Sequence, residues 1–358
     1  MIQCPLSART SREILNVRIT DRLLMRILVA AVILACAILG DTASRADEPD
    51  SEAVLGQFEA AGHIASRQIE RAIFETPSAG AGFWDELFEP ALHTHFSPRG
   101  TPLVHLFLLE PAALHRDLFL DYRIANNVAG STDEQELEVE LEWSLTKRLG
   151  IIIEVPFLGL DPVDEPNTAG FGDLAFAGRA LVVNDDTFML ATNLALSVPT
   201  GDPQRNLGRG EAVLAPSVST WLDLGNWVSL HSQLGPEIGL ESGDTSMVYG
   251  FAVTYSFQGP ALFGSHRGTA HHHHDHSDHE HHEHEELHFE PGLTSLILEV
   301  SGETGLSGDD DGTTFFEVIP GVSYVPWKLV EIRFGVRFPL FRPERLDVQY
   351  LLSLVRNF

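Results

Sequence analysis

The residues with the clearest capacity for chemistry are ten histidines within residues 271–288, which read HHHHDHSDHEHHEHEELH. They are His271, His272, His273, His274, His276, His279, His281, His282, His284 and His288. Neutral imidazole binds Zn, Ni, Co and Cu ions, and the interleaved carboxylates add charge without demanding a rigid geometry. The composition therefore predicts a flexible site for divalent transition metals. A solvated acidic linker is the alternative interpretation.

In this histidine-rich tract (residues 271–288), HExxH occurs once, as HEELH at 284–288, and no such catalytic spacing is repeated. We therefore predict no enzyme, no catalytic residue and no required cofactor. His93 and His95 flank one threonine and are a candidate for a second metal site. Sequence reasoning assigns no function to His63, His105 or His115.

The segments that must position these residues have apolar side chains at every second position. In residues 135–146, Leu137 and Val139 alternate with Glu136 and Glu138, and the pattern continues to residue 145. Residues 245–257 and 329–340 repeat it. Because side chains of a strand alternate between its faces, each segment is predicted to be a strand with one apolar face.

Twelve such strands, most of 9–14 residues, can be drawn between residues 117 and 358. Strands of globular proteins average about 5–6 residues, whereas membrane-spanning strands need about 9–11. Lipid tolerates no unpaired strand edge. We therefore predict an all-β fold, a transmembrane antiparallel β-barrel of about 12 strands over residues 114–358, with a histidine-rich insert at 266–288. A soluble sandwich or lipocalin-like barrel is the alternative.

The N-terminal region carries an apolar stretch, 27–40, after two arginines and before Ser44-Arg45-Ala46. This pattern predicts a signal peptide, residues 1–46. Residues 47–113 are predicted to be a periplasmic segment with a short helix at 51–75, followed by irregular chain. Export combined with apolar strands places the protein in the cell outer membrane, with lipid as a partner. The 51 acidic and 23 basic residues exclude a nucleic-acid partner that works through phosphate neutralisation.

The second face of the strands is rich in charged residues. Alternation places these pore-lining candidates inside the barrel: Glu136, Glu138, Glu140, Glu142, Glu154, His231, Glu331, Arg333 and Arg337. Asp117, Asp121, Glu299, Glu317, Arg123 and Arg179 are also expected inside. Acids outnumber bases, which predicts a cation-favouring interior if water fills it. If the arginines pair with the acids across a narrow barrel, they fill it instead.

The connections between strands predict sidedness. With both chain ends of the barrel in the periplasm, the tight connections are periplasmic, as they are in bacterial barrels. Trp143, Trp221, Trp227 and Trp327 lie near these turns and suggest an aromatic girdle. Strand parity puts the histidine-rich insert on the same side, where a periplasmic partner is a further expectation.

Three stretches resemble a known family of outer-membrane barrels, named for the meta-pathway of phenol degradation. They are QELEVELEWSLTKRLGIIIEVP at 135–156, GFGDLAFAGRAL at 170–181 and LALSVPTGDPQRNLGRG at 194–210. The resemblance covers roughly residues 115–358 and implies a transporter or channel without catalytic residues. The histidine-rich insert departs from the family pattern and favours metal over a phenol-like cargo.

These observations predict an outer-membrane channel or transporter for small solutes, cation-favouring, whose histidine-rich loop binds divalent metal. The alternative is a barrel that transports nothing and acts as a metal-buffering or partner-docking platform. An outer-membrane hydrolase is disfavoured because the sequence pattern places no Ser and His pair on the outer face near a rim.

Overall fold

Thirteen strands follow one another along the chain in the computed structural model, which describes residues 86–91, 94–128, 131–163, 166–260, 288–308, 310–341 and 346–358. Their bounds are β1 Arg116–Val128, β2 Thr132–Ser144, β3 Leu149–Pro162, β4 Thr168–Phe171, β5 Leu174–Asn184, β6 Phe188–Val198, β7 Val213–Gly225, β8 Val228–Gly239, β9 Thr245–Gln258, β10 Leu293–Gly305, β11 Thr314–Trp327, β12 Val330–Phe341 and β13 Val348–Asn357. The predicted signal peptide, the predicted N-terminal helix, His93 and the tract up to residue 287 lie outside the described residues.

The strands close into a barrel. Each pairs antiparallel with its neighbour in one sheet, and β2 pairs with both β1 and β3, so the sheet has no open edge there. β4 and β5 both pair with β3 and together occupy one position in the ring. The ring therefore has twelve positions, and the prediction of an all-β antiparallel barrel of about 12 strands is confirmed. Within the residues that the structure describes, no helix has the length and apolarity needed to cross a bilayer.

The outer surface of the barrel is apolar. Leu137, Phe334 and Tyr350 are 41%, 45% and 45% exposed, whereas the neighbouring Glu138 and Leu351 are buried. The same alternation exposes further large apolar side chains, among them Leu120, Val139, Val253, Leu296, Leu298, Phe338, Leu352 and Leu354. Such an exterior is what hydrocarbon requires of a spanning barrel.

Residues 94–115, here called the inner segment, lie inside the barrel. Val104, Leu106 and Leu109 are buried in one apolar cluster with wall residues such as Ala252 and Ile319. The sequence assigns residues 47–113 to a periplasmic helix and irregular segment, and the structure places residues 94–113 of that range inside the barrel. The reason is that the apolar run 103–109 is buried against the small and aliphatic side chains of the inner wall.

Antiparallel pairing puts the two kinds of connection at opposite ends. The turn end holds the short connections 145–148, 185–187, 226–227 and 328–329, together with the C-terminus. The connection between β9 and β10, which carries the histidine-rich tract, also starts at the turn end, where Gln258 pairs with Leu293. Longer connections such as 199–212 lie at the other end, the loop end.

The predicted aromatic girdle is only partly present. Trp143 and Trp327 are 36% and 51% exposed at the turn end. Trp221 is 1% exposed, because it lies on the same inward face of β7 as Asp223 and packs with Leu103 of the inner segment. Trp227 is half-buried.

Candidate functional site

Wall side chains hold the backbone of the inner segment inside the barrel. The carboxylate of Glu299, a buried residue of β10, accepts hydrogen bonds from the backbone N–H groups of Phe107, Leu108 and Leu109, each at 2.9 Å. Three otherwise unpaired donors are thereby satisfied in a place from which bulk water is excluded.

Two wall arginines complete this support. Arg333 of β12 donates to the backbone carbonyl of Leu106. Arg179 of β5 donates to the carbonyl of Ala113 at 3.1 Å and forms an ion pair with Glu110. The wall therefore contributes both acceptors and donors to the inner segment.

Several charged residues predicted to line the pore pair with one another. Arg123 lies 3.0 Å from Glu136 and 2.8 Å from Glu138, and Arg337 lies 2.6 Å from Glu317. The three glutamates that pair with these two arginines come from neighbouring strands of the wall. The arginines thus neutralise part of the negative charge inside the barrel.

Other predicted lining residues have different surroundings. Glu142 lies 3.6 Å from Arg179, and one carboxylate oxygen each of Asp121, Glu138 and Glu140 lie within 4.8 Å of one another. The imidazole Nε2 of His231, a buried residue of β8, lies 3.0 Å from the hydroxyl of Ser229.

Two cavities lined by described residues lie against the inner segment. The larger, about 310 Å³, has among its lining residues five carboxylates and one guanidinium: Glu110, Glu154, Glu237, Glu303, Glu317 and Arg337. The smaller, about 40 Å³, is lined by the charged or titratable residues His105, Glu110, Asp121, Glu140, Glu142 and Arg333. Glu110 lines both cavities and forms an ion pair with Arg179.

A second group of polar side chains gathers near the turn end. The inner segment supplies His95, His105 and His115, and β1 supplies Asp117. One ligand atom from each lies within 4.8 Å of the others, and all four residues are at most 2% exposed. We call these four residues the buried histidine cluster.

Hydrogen bonds orient the cluster. The Nδ1 atom of His105 lies 2.7 Å from a carboxylate oxygen of Glu331, and its Nε2 atom lies 2.8 Å from Oδ2 of Asp117. His105 belongs to no strand. The carboxylates of Glu331 and Asp117 therefore hold its ring between them.

Sequence reasoning missed two members of this cluster. His105 and His115 received no function, and His95 was paired with His93 instead. The three clustered histidines stand in irregular chain, where no periodic pattern indicates which way a side chain points. The only described histidine of the tract, His288, is half-buried with its ring centroid 6.0 Å from that of His95.

No family model matches this sequence, and comparison with curated proteins gives no match. The resemblance to the phenol meta-pathway family stays a prediction.

Several solved structures of barrels are similar to this chain. An outer-membrane channel from Pseudomonas putida F1 has 15% identity and a TM-score of 0.48, over 71% of this chain and 100% of that one. The KdgM porin has 8% identity and a TM-score of 0.41, over 68% and 99%. The NanC porin has 10% identity and a TM-score of 0.40, over 68% and 98%. At these identities and scores, the comparisons carry no argument about function.

Proposed function

We propose that this chain is an outer-membrane barrel that passes small solutes, with a preference for cations. The observation that carries the proposal is the lining of the larger cavity, where five carboxylates face one guanidinium. Rings of carboxylates favour cations in membrane pores. The apolar exterior and the predicted signal peptide support insertion into the outer membrane.

The inner segment sets the size of the passage. It occupies the turn end of the barrel and leaves cavities of about 310 and 40 Å³. Glu110 lines both cavities, so its carboxylate is a candidate contact for a cation inside the barrel. We therefore expect a small conductance that rises when the inner segment is displaced.

Planar bilayers test the cation preference. In a KCl gradient, the reversal potential of the purified barrel is expected to indicate K⁺ over Cl⁻. Replacing Glu154→Gln and Glu237→Gln together exchanges two carboxyl groups of the larger cavity for neutral amides and should move the permeability ratio toward one. Glu241→Gln, at an exposed position of the loop end, is the matched control and should leave the ratio unchanged. An anion preference in the parent protein would contradict the proposal.

The same proposal assigns metal binding to the histidine-rich tract. A variant that lacks residues 271–287 should retain several fewer equivalents of Zn or Ni than the full chain after gel filtration. The barrel can tolerate this deletion, because Gly259 N–H donates to the Gly292 carbonyl at 2.9 Å and holds the two strand ends together. If the deletion variant binds as much metal as the full chain, the tract has no such role.

The second candidate is a platform that binds metal or a partner without transport. The inner segment inside the barrel favours it, because two wall arginines, Arg179 and Arg333, contact the segment there. A bilayer that stays silent in the presence of folded barrel, combined with metal retention by the tract, would support the platform over the channel.

A further inference from the structure

The buried histidine cluster has the donor set and spacing of a metal site. Asp117 Oδ2 lies 2.8 Å from His105 Nε2 and 3.7 Å from His115 Nδ1, and Asp117 Oδ1 lies 3.8 Å from His95 Nε2. Tetrahedral zinc with ligands at about 2.0–2.1 Å holds its ligand atoms roughly 3.3 Å apart. The observed separations fall on both sides of that value, so small side-chain rotations would complete a tetrahedron.

Neighbouring side chains already orient these ligands. Glu331 engages the Nδ1 atom of His105 at 2.7 Å, which leaves Nε2 directed at Asp117. Asn357 Nδ2 donates to Oδ1 of Asp117 at 3.0 Å, and the hydroxyl of Ser323 donates to Glu331. A histidine ligand whose second nitrogen meets a carboxylate is the common arrangement around protein-bound zinc.

The burial and the donor atoms of the cluster indicate which metal ion it can bind. His95 and Asp117 are 0% exposed, His105 is 1% and His115 is 2% exposed, so the centre has no open face. Four protein ligands without an open position are typical of structural zinc sites. Three imidazoles with one carboxylate suit zinc and its neighbours among the divalent transition metals and do not suit Mg²⁺ or Ca²⁺.

We propose that His95, His105, His115 and Asp117 bind one zinc-type divalent ion that cross-links the inner segment to the barrel wall. Three ligands belong to the inner segment and the fourth belongs to β1, so the ion fixes the segment inside the lumen. The site is separate from the histidine-rich tract and does not depend on solute transport.

The test uses the variant lacking residues 271–287, stripped of metal and reloaded with Zn²⁺ alone. One equivalent of zinc should remain after gel filtration, and Co²⁺ in its place should give the intense visible bands of tetrahedral coordination. His105→Gln and His115→Gln should each lose this equivalent and these bands. His231→Gln, which removes a buried wall histidine outside the cluster, should keep both. For every variant, a change in gel mobility on heating shows that the unheated barrel is folded.

Two results would overturn the inference. One is a folded parent variant that retains no zinc, and the other is retention that the cluster substitutions leave unchanged. If those substitutions prevent folding, X-ray absorption on the unsubstituted zinc-loaded protein decides. Three nitrogen and one oxygen ligands at about 2.0–2.1 Å support the site, and a six-coordinate shell overturns it. Conductance, and the additional metal that the full chain binds, are measured separately. A negative result for the channel or for metal binding by the tract would therefore leave the proposal for this site standing.

Discussion

Single wall residues each hold several groups of the inner segment. Glu299 accepts hydrogen bonds from three backbone N–H groups. Arg333 donates to the carbonyl of Leu106. Its guanidinium carbon also lies 5.6 Å from the ring centroid of Phe107 and 5.1 Å from that of Phe119. A buried donor that loses its acceptor costs about 1–3 kcal/mol. The loss of one such wall side chain therefore affects several contacts at once.

Glu299→Ala should lower the free energy of unfolding by about 3 kcal/mol, since it leaves two buried donors and one partly buried donor without their acceptor. Denaturant titration of the barrel in lipid vesicles measures the effect. Glu241→Ala, in an exposed turn, is the control and should change stability by less than about 0.5 kcal/mol. Equal stability of the two variants would show that Glu299 does not hold the inner segment.

Among the structural elements, β11 and β12 form a recess for one ring of the inner segment. Gly321 and Gly335 are register partners, and a Cβ atom at either would lie 2.3 Å or 2.9 Å from the ring of Phe107. The absence of side chains at both positions allows the segment to lie directly on the wall.

Gly321→Val should displace the Phe107 ring and lower the free energy of unfolding by about 1–3 kcal/mol, as overpacking usually does. Adding Phe107→Ala should remove most of this penalty, because the two positions are coupled through one contact. Gly178→Val in β5 is the control, since a Cβ there meets nothing within 4 Å. Additive effects of Gly321→Val and Phe107→Ala would contradict the contact.

The strands could be predicted from the sequence because their signal is local. Alternation along residues 135–146 depends only on neighbouring residues and on which solvent each face meets. The filling of the lumen could not be predicted in this way. The contacts that fill it join residues far apart in the chain, such as Glu299 and Phe107, which are 192 positions apart.

The buried histidine cluster illustrates the same limit. His105 and His115 lie in chain without a period, so nothing local shows that their rings converge with Asp117. The ten histidines of the tract can be recognised from composition alone. In the described part of the chain, the fold brings three other histidines close together.

In the molecule as a whole, the acidic cavity and the candidate metal-binding residues occupy different places. The acidic cavity of about 310 Å³ lies against the inner segment and is lined by wall residues of several strands. The buried histidine cluster and the connection that carries the tract both lie at the turn end. Both depend on a barrel that turns its apolar side chains outward and its charged side chains inward.

Spin labels at single cysteines test that orientation most directly, and a chain without residues 1–46 has no native cysteine because the only two are Cys4 and Cys36. Labels at Leu137→Cys, Phe334→Cys and Tyr350→Cys in lipid vesicles should collide more often with oxygen, which concentrates in hydrocarbon, than with a water-soluble nickel chelate. A label at Leu351→Cys, on the inner face, should be shielded from lipid. Labels at the first three positions that are buried inside a protein soluble without detergent would contradict the account.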